Sequence, residues 1–349
     1  MTDLLYPERP SANRPSKPAE LPTPALAGMR HPAGYIRDDA LTDAVNVALL
    51  LMQPLLLTGP PGTGKSELAA SVAWELGLDE PLVFETKSTS QARDLFYVYD
   101  TLGRFTARQL GATSEIQQED RFETLRPARD YLTFSALGEA IIRSREEHDF
   151  IDILPADYVH PGKRRSVVLI DEIEKAPRDL PNDLLNEIER MYFRVPELGN
   201  VKIEADPALR PVVIVTSNSE SSLPDAFLRR CVYYNIPFPD RVTLERIVLS
   251  RFAMADPVPP MMAEAVDFLL RLQEPEVVLD KRPGKAELLN WLIALRGLGI
   301  VDSLPLRGQP SAQRALTTLA KLAPDQERVA EEFEAWLTTG PETAKLAAE

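Results

Sequence analysis

A single cysteine, Cys231, in 349 residues has no partner for an intramolecular disulfide, and this scarcity points to a reducing compartment. We expect a cytoplasmic protein, with Cys231 serving as a small buried hydrophobe rather than a reactive thiol. Three histidines (His31, His148 and His160) are too scattered for a metal site, and no carboxylate cluster accompanies them. Positive charge is also in deficit. There are 39 Lys and Arg against 53 Asp and Glu, a net charge of −14. That balance counts against a nucleic-acid surface, and no basic groove interleaved with aromatics is legible. Long hydrophobic runs are missing as well. The run Val45 to Leu57 is broken by Gln53 and Pro54, falls short of a bilayer's thickness, and follows no cleavable signal.

Proline is plentiful, and it crowds the start: Pro7, Pro10, Pro15, Pro18, Pro22 and Pro24 predict an extended or disordered tail over residues 1–25. Beyond it, apolar runs alternate with helical spacing. Helices are expected over Asp39 to Met52, Glu67 to Leu76, Phe134 to Arg145 and Asn182 to Glu189. Strands are expected over Pro54 to Thr58, Pro81 to Phe84, Val167 to Ile170, Pro211 to Thr216 and Val232 to Ile236. The segment Asp94 to Leu110 mixes aromatic and polar residues, and Gly111 to Arg129 is charged and irregular. From Asp240 onward only helices are predicted: Arg241 to Met254, Met261 to Gln273, Lys285 to Leu295 and Ser311 to Leu322. No internal repeat is present. This order predicts an α/β core over residues 26–239, a parallel sheet flanked by helices. A small all-helical lid and C-terminal helices over 240–349 would follow it.

Four segments carry chemistry. Gly59-Pro60-Pro61-Gly62-Thr63-Gly64-Lys65-Ser66 follows a buried strand and opens a helix. Backbone N–H groups at such a helix start surround a polyphosphate. Lys65 would neutralise its β/γ oxygens and the Ser66 hydroxyl would ligate Mg²⁺. Val167 to Ile170 then ends in Asp171-Glu172. At the C-terminal edge of a parallel sheet one acid can serve the Mg²⁺ sphere while the other handles an attacking water. Both acids could instead be solvated strand ends, but the loop upstream weighs against that. Pro211 to Thr216 ends in Ser217-Asn218, whose amide either starts a turn or reaches the same water. A short helix from Leu223 ends in Arg229-Arg230-Cys231. These arginines either serve the helix dipole or present a guanidinium to a neighbouring subunit's phosphate.

Taken together and in this order, these segments resemble the AAA+ ATPases. The likeness is closest to the MoxR branch and its subgroup accompanying carbon monoxide dehydrogenase maturation. It rests on Leu57 to Ser66, Leu169-Ile170-Asp171-Glu172-Ile173, Val195-Pro196-Glu197-Leu198-Gly199, Thr216-Ser217-Asn218 and Leu228-Arg229-Arg230-Cys231. The resemblance runs from about Gly34 to Leu295. It implies P-loop ATP hydrolysis with Mg²⁺ in a hexameric ring, with Walker A at Gly59 to Ser66, Walker B at Asp171 and Glu172, and sensor 1 at Asn218. Arg230 matches the family's arginine finger better than Arg229. The family acts as a chaperone-like remodeller, often beside a von Willebrand factor A domain partner, and inserts metals or cofactors or activates complexes. By family geometry Tyr35 and Ile36 would cover the adenine. Two departures stand out. Lys65 and Asp171 lie farther apart than in compact members, through material between Asp94 and Arg165 that could contact a client or simply add surface. The lid cation is also unassigned: Arg282 and Lys285 are near, but Glu287 occupies a place where some relatives are basic.

The alternative is a nucleic-acid-associated or restriction-type NTPase, against which the acidic balance counts. A GTP switch lacks its Asn-Lys-x-Asp segment. A small-molecule kinase needs an acceptor site rather than a second acid for water, and a scaffold that only binds ATP would not turn it over. The client itself is not legible.

Overall fold

Aliphatic and β-branched runs become buried on both faces when they pair on both sides in a parallel sheet. A computed structural model, which describes residues 31–113, 127–219 and 223–338, assembles three such runs with a half-buried edge strand on either side. The strands among these residues are β1 (Leu55–Thr58), β2 (Leu82–Glu85), β3 (Tyr97–Tyr99), β4 (Leu132–Phe134), β5 (Val167–Asp171), β6 (Tyr192–Val195), β7 (Val201–Glu204), β8 (Val212–Thr216) and β9 (Val232–Asn235). The main sheet runs β2-β5-β8-β1-β9, with all neighbours parallel. Ile214 of β8 lies opposite both Leu169 and Leu55, so the C-terminal ends of β5, β8 and β1 stand side by side. The functional segments are carried on that edge. This is the AAA+ P-loop NTPase fold, with helices following the core.

The chain divides into two compact units. The sheet unit holds Arg37–Gly59 and Lys65–Ile236. Its core joins Leu56, Val168, Ile170, Val213 and Val215 to Leu137 and Ile141 of helix Ala136–Arg143. Two antiparallel hairpins, β3–β4 and β6–β7, belong to this unit. They share an aromatic cluster in which Phe96 stacks on Phe193 at 5.2 Å. Neither hairpin is foreseen in the sequence reading, although β6–β7 carries the period-2 alternation Tyr-Phe-Arg-Val and Val-Lys-Ile-Glu around a turn at Gly199-Asn200. The helix expected over Asn182 to Glu189 is divided into Leu180–Asp183 and Leu185–Arg190. The helix expected from Glu67 begins earlier, at Lys65, and Phe134 ends a strand instead of opening a helix.

The second unit comprises Pro60–Gly64, the described residues up to Ile36 and those from Pro237 on. Helices Arg241–Arg251, Pro260–Arg271, Lys285–Gly297 and Ala323–Thr338 bury one another through Phe268, Trp291, Phe333 and Trp336. Ring centroids in this group lie 5.0–6.2 Å apart. Where a helix is expected over Ser311 to Leu322, a 3-10 stretch, Pro310–Thr318, forms and the longer helix follows. Among the described residues no helix is long and apolar enough to cross a membrane. The tail over 1–25 lies outside the described residues, as does most of the irregular stretch before Arg129.

Asp325 ties the last helix down. Fully buried, it accepts the backbone N–H groups of Asp280 and Lys281, each at 2.9 Å. Asp325→Ala would leave both part-buried donors without this acceptor, so a loss of about 2–6 kcal/mol is expected, at 1–3 kcal/mol per orphaned group. A shift in the denaturation midpoint measures it; a midpoint within error of the parent chain would refute the anchor.

Candidate functional site

At the end of β1 the chain must turn sharply. Gly59 adopts φ +135°, and a Cβ there would meet the Ile236 carbonyl oxygen at 2.3 Å, so no larger residue fits. Helix Lys65–Glu75 then begins. The division between the two units runs through the loop itself: Pro60–Gly64 groups with the helical unit, Gly59 and Lys65 with the sheet. Lys65 is buried at 7% exposure, although lysine is rarely buried unless paired. Its ammonium donates to the Gly59 carbonyl at 2.8 Å and to Asn218 Oδ1 at 2.9 Å. Burial holds its pKa below the usual lysine value, opposed by the charges of Glu174, Asp171 and Glu172, in that order. A cation kept in place among acceptors, at a helix start, is equipped to receive an anion.

The acids converge on the same place. Asp171 ends β5, and its Oδ1 accepts the Ser66 hydroxyl at 2.7 Å and the Thr216 hydroxyl at 2.6 Å. A hydroxyl and a carboxylate in direct contact form an oxygen pair suited to a hard cation such as Mg²⁺. Among the described residues no group of three or more His, Cys, Asp or Glu could hold a metal by itself. Glu172 turns the chain out of the strand in the left-handed region, φ +54° and ψ +53°, a conformation costing of order 1–3 kcal/mol for a non-glycine residue. Its N–H donates to Thr216 Oγ1 at 2.9 Å, which ties the turn to β8. Its carboxylate forms an ion pair with Lys175. Asn218 Nδ2 lies 3.5 Å from Glu172 Oε1 and 2.7 Å from Glu174 Oε1.

Lys65, Ser66, Asp171, Glu172 and Asn218 thus form one cluster, and Glu174 joins it unforeseen. Arg229 and Arg230 do not. Both are exposed, and Arg230 pairs through Nε with Glu189 Oε2 at 3.2 Å. Cys231, beside them, is mostly buried, which pushes its thiol up to about 12.

Within the helical unit, the Pro60–Gly64 loop tip meets the start of helix Lys285–Gly297. Lys285 is buried and donates to the Thr63 carbonyl at 3.3 Å, with its ammonium 6.0 Å from the Tyr35 ring centroid. Gly62 and Gly284 permit this approach: a Cβ on Gly62 would lie 3.3 Å from Ala286 Cβ, and one on Gly284 would lie 2.9 Å from the Pro61 carbonyl oxygen. Glu287 accepts the Gly284 N–H at 2.9 Å and caps its own helix. Of the two basic residues the sequence offered here, Lys285 is the one that reaches the loop. Arg282 is occupied by the carbonyls of Glu274 and Val277 instead.

The family description "AAA domain (dynein-related subfamily)" matches residues 54–231, just over half of the chain. Among solved structures, the A156S mutant of Thermotoga maritima RuvB matches with 14% identity and a TM-score of 0.41, over 86% of this chain and 70% of that one. No curated protein matches the chain.

Proposed function

Because this chain belongs to the AAA family, in its dynein-related subfamily, we propose that it binds and hydrolyses ATP as an oligomeric, MoxR-like remodelling ATPase. The observation that carries this reading is the meeting of Lys65, Ser66, Asp171, Glu172 and Asn218 at one edge of the sheet. Lys65 and the loop's N–H groups hold the β/γ-phosphates. Ser66 and Asp171 would hold Mg²⁺, which would supply charge neutralisation for the phosphate oxygens. Glu172 accepts the proton of the attacking water, and Asn218 orients that water. Tyr35 and Ile36 lie over the adenine.

Catalysis of this kind is positioning plus electrostatics, so the subunit needs a guanidinium it cannot supply to itself. Arg230, exposed beside Glu189, would serve the next protomer of a hexameric ring. The described residues up to 239 then form the nucleotide-binding domain, and those from 240 on the lid. The work delivered is remodelling of a protein client, activation of a complex or insertion of a metal, beside a partner with a von Willebrand factor A domain.

Phosphate release measured against protein concentration tests this. Turnover per subunit should climb as the ring assembles. Arg230→Ala should lower it by about 10³-fold or more while ATP still binds. Turnover independent of concentration, with Arg230→Ala at full rate, would remove the shared-site reading.

A further inference from the structure

Asn218 has an amide whose two ends must be told apart, and three neighbours do it. Lysine can only donate and an ionised carboxylate can only accept. Lys65 therefore takes Oδ1, at 2.9 Å, and the acids take Nδ2. Two carboxylates compete for that Nδ2. Glu174 Oε1 stands at 2.7 Å and Glu172 Oε1 at 3.5 Å, the edge of hydrogen-bond range. Glu174 Oε2 is buried and has no hydrogen-bond partner among the described residues, so the bond to Asn218 is the directional contact this acid makes there, beside its charge attraction to Lys65. Such a group is costly to leave unmatched. The carboxylate of Glu172, meanwhile, is paired with exposed Lys175, at a solvent-screened surface where it can be released cheaply.

We infer that Glu174 is a positioning residue for the hydrolytic reaction. It accepts the Asn218 amide N–H, fixes the flip of that amide, and so keeps Glu172 from being consumed by Asn218. This rests on the proposal that the chain hydrolyses ATP. The short 3-10 turn Ile173–Lys175 that follows the left-handed Glu172 makes the arrangement possible, since it returns residue 174 towards the strand end while residue 175 faces outward. Glu174 touches Asn218 rather than the reacting atoms, so its effect must pass through that amide.

The test is steady-state ATP turnover by the full chain carrying Glu174→Ala, Glu174→Gln or Glu174→Met, alone and combined with Asn218→Ala. Glutamine keeps a side-chain carbonyl that can accept from Asn218. Methionine keeps the volume without an acceptor and stands in if alanine disturbs folding. Glu174→Ala and Glu174→Met should lower kcat about tenfold, the effect of one lost hydrogen bond, with the KM for ATP within about twofold of the parent. Glu174→Gln should recover most of the rate. In the Asn218→Ala background, removing Glu174 should cost nothing further. A parent chain that turns over ATP while Glu174→Met matches it overturns this inference alone. So do equal losses in the glutamine and methionine variants, or losses that simply multiply with Asn218→Ala. A parent chain with no ATP turnover overturns the hydrolase reading and this one together.

Discussion

Glu172→Gln should lower ATP turnover by about 10²- to 10⁴-fold, the range for removing a positioned general base. Nucleotide should stay bound. Glutamine keeps the shape of the side chain but cannot take a proton from water. The backbone device that presents the residue, its N–H held by Thr216 at 2.9 Å, is untouched. Only the ion pair with Lys175 disappears, and its partners are each about half exposed, 53% and 40%. Exposed pairs of this kind contribute only ~0–1 kcal/mol, so the fold should survive intact. Chemistry and stability therefore separate cleanly. Phosphate release at saturating ATP, alongside retained radiolabelled ATP and an unchanged melting temperature, would report the expected pattern. Equal turnover by the parent and Glu172→Gln would take the proton-accepting role away from this residue.

The second large effect concerns binding rather than chemistry. Lys65→Ala should weaken ATP binding by about 100-fold or more, since charge-assisted hydrogen bonds contribute roughly 1.5–3 kcal/mol each. The ammonium is buried and already oriented, so its phosphate contacts cost little further ordering. Its removal also takes from Glu174, Asp171 and Glu172 the buried cation that faces all three, leaving them only the exposed Lys175. The site would then repel a polyphosphate more than a missing hydrogen bond alone predicts. Titration calorimetry with ATP and Mg²⁺ measures the change. A dissociation constant within about threefold of the parent, less than half of one such bond's contribution, would mean that this loop is not where the phosphates sit.

The two predictions differ in how visible their residues are in the chain. Lys65 is legible because its loop is local: strand, glycine turn and helix lie within a dozen consecutive residues, and only glycine tolerates the approach at Gly59. Asp171 and Glu172 are legible because a fully apolar strand that ends in acids has one reading when a phosphate loop precedes it. Asn218, taken by itself, left two readings open, and β8, threaded between β5 and β1, brings its amide to Lys65, Glu172 and Glu174. Glu174 carries no signal in the sequence, where it is one more acid after Asp171-Glu172. Its place beside Asn218 depends on the left-handed turn at Glu172, which a residue type does not announce.

The hairpins and the lid cation show the same limit at longer range. The alternation in β6–β7 is present in the sequence, but short runs of four residues are hard to distinguish from loop without the partner that packs on them, here Phe96 against Phe193. Lys285 lies 222 positions from the Thr63 carbonyl it meets. Local spacing settled the phosphate loop, the acidic strand end and the alternating α/β order, because each arises from hydrogen bonding and burial among near neighbours. Tertiary structure alone decided which cation lies over the loop, which acid holds the amide and where Arg230 points. Those outcomes depend on strand order and on groups brought together across the chain, and residue spacing carries no record of either.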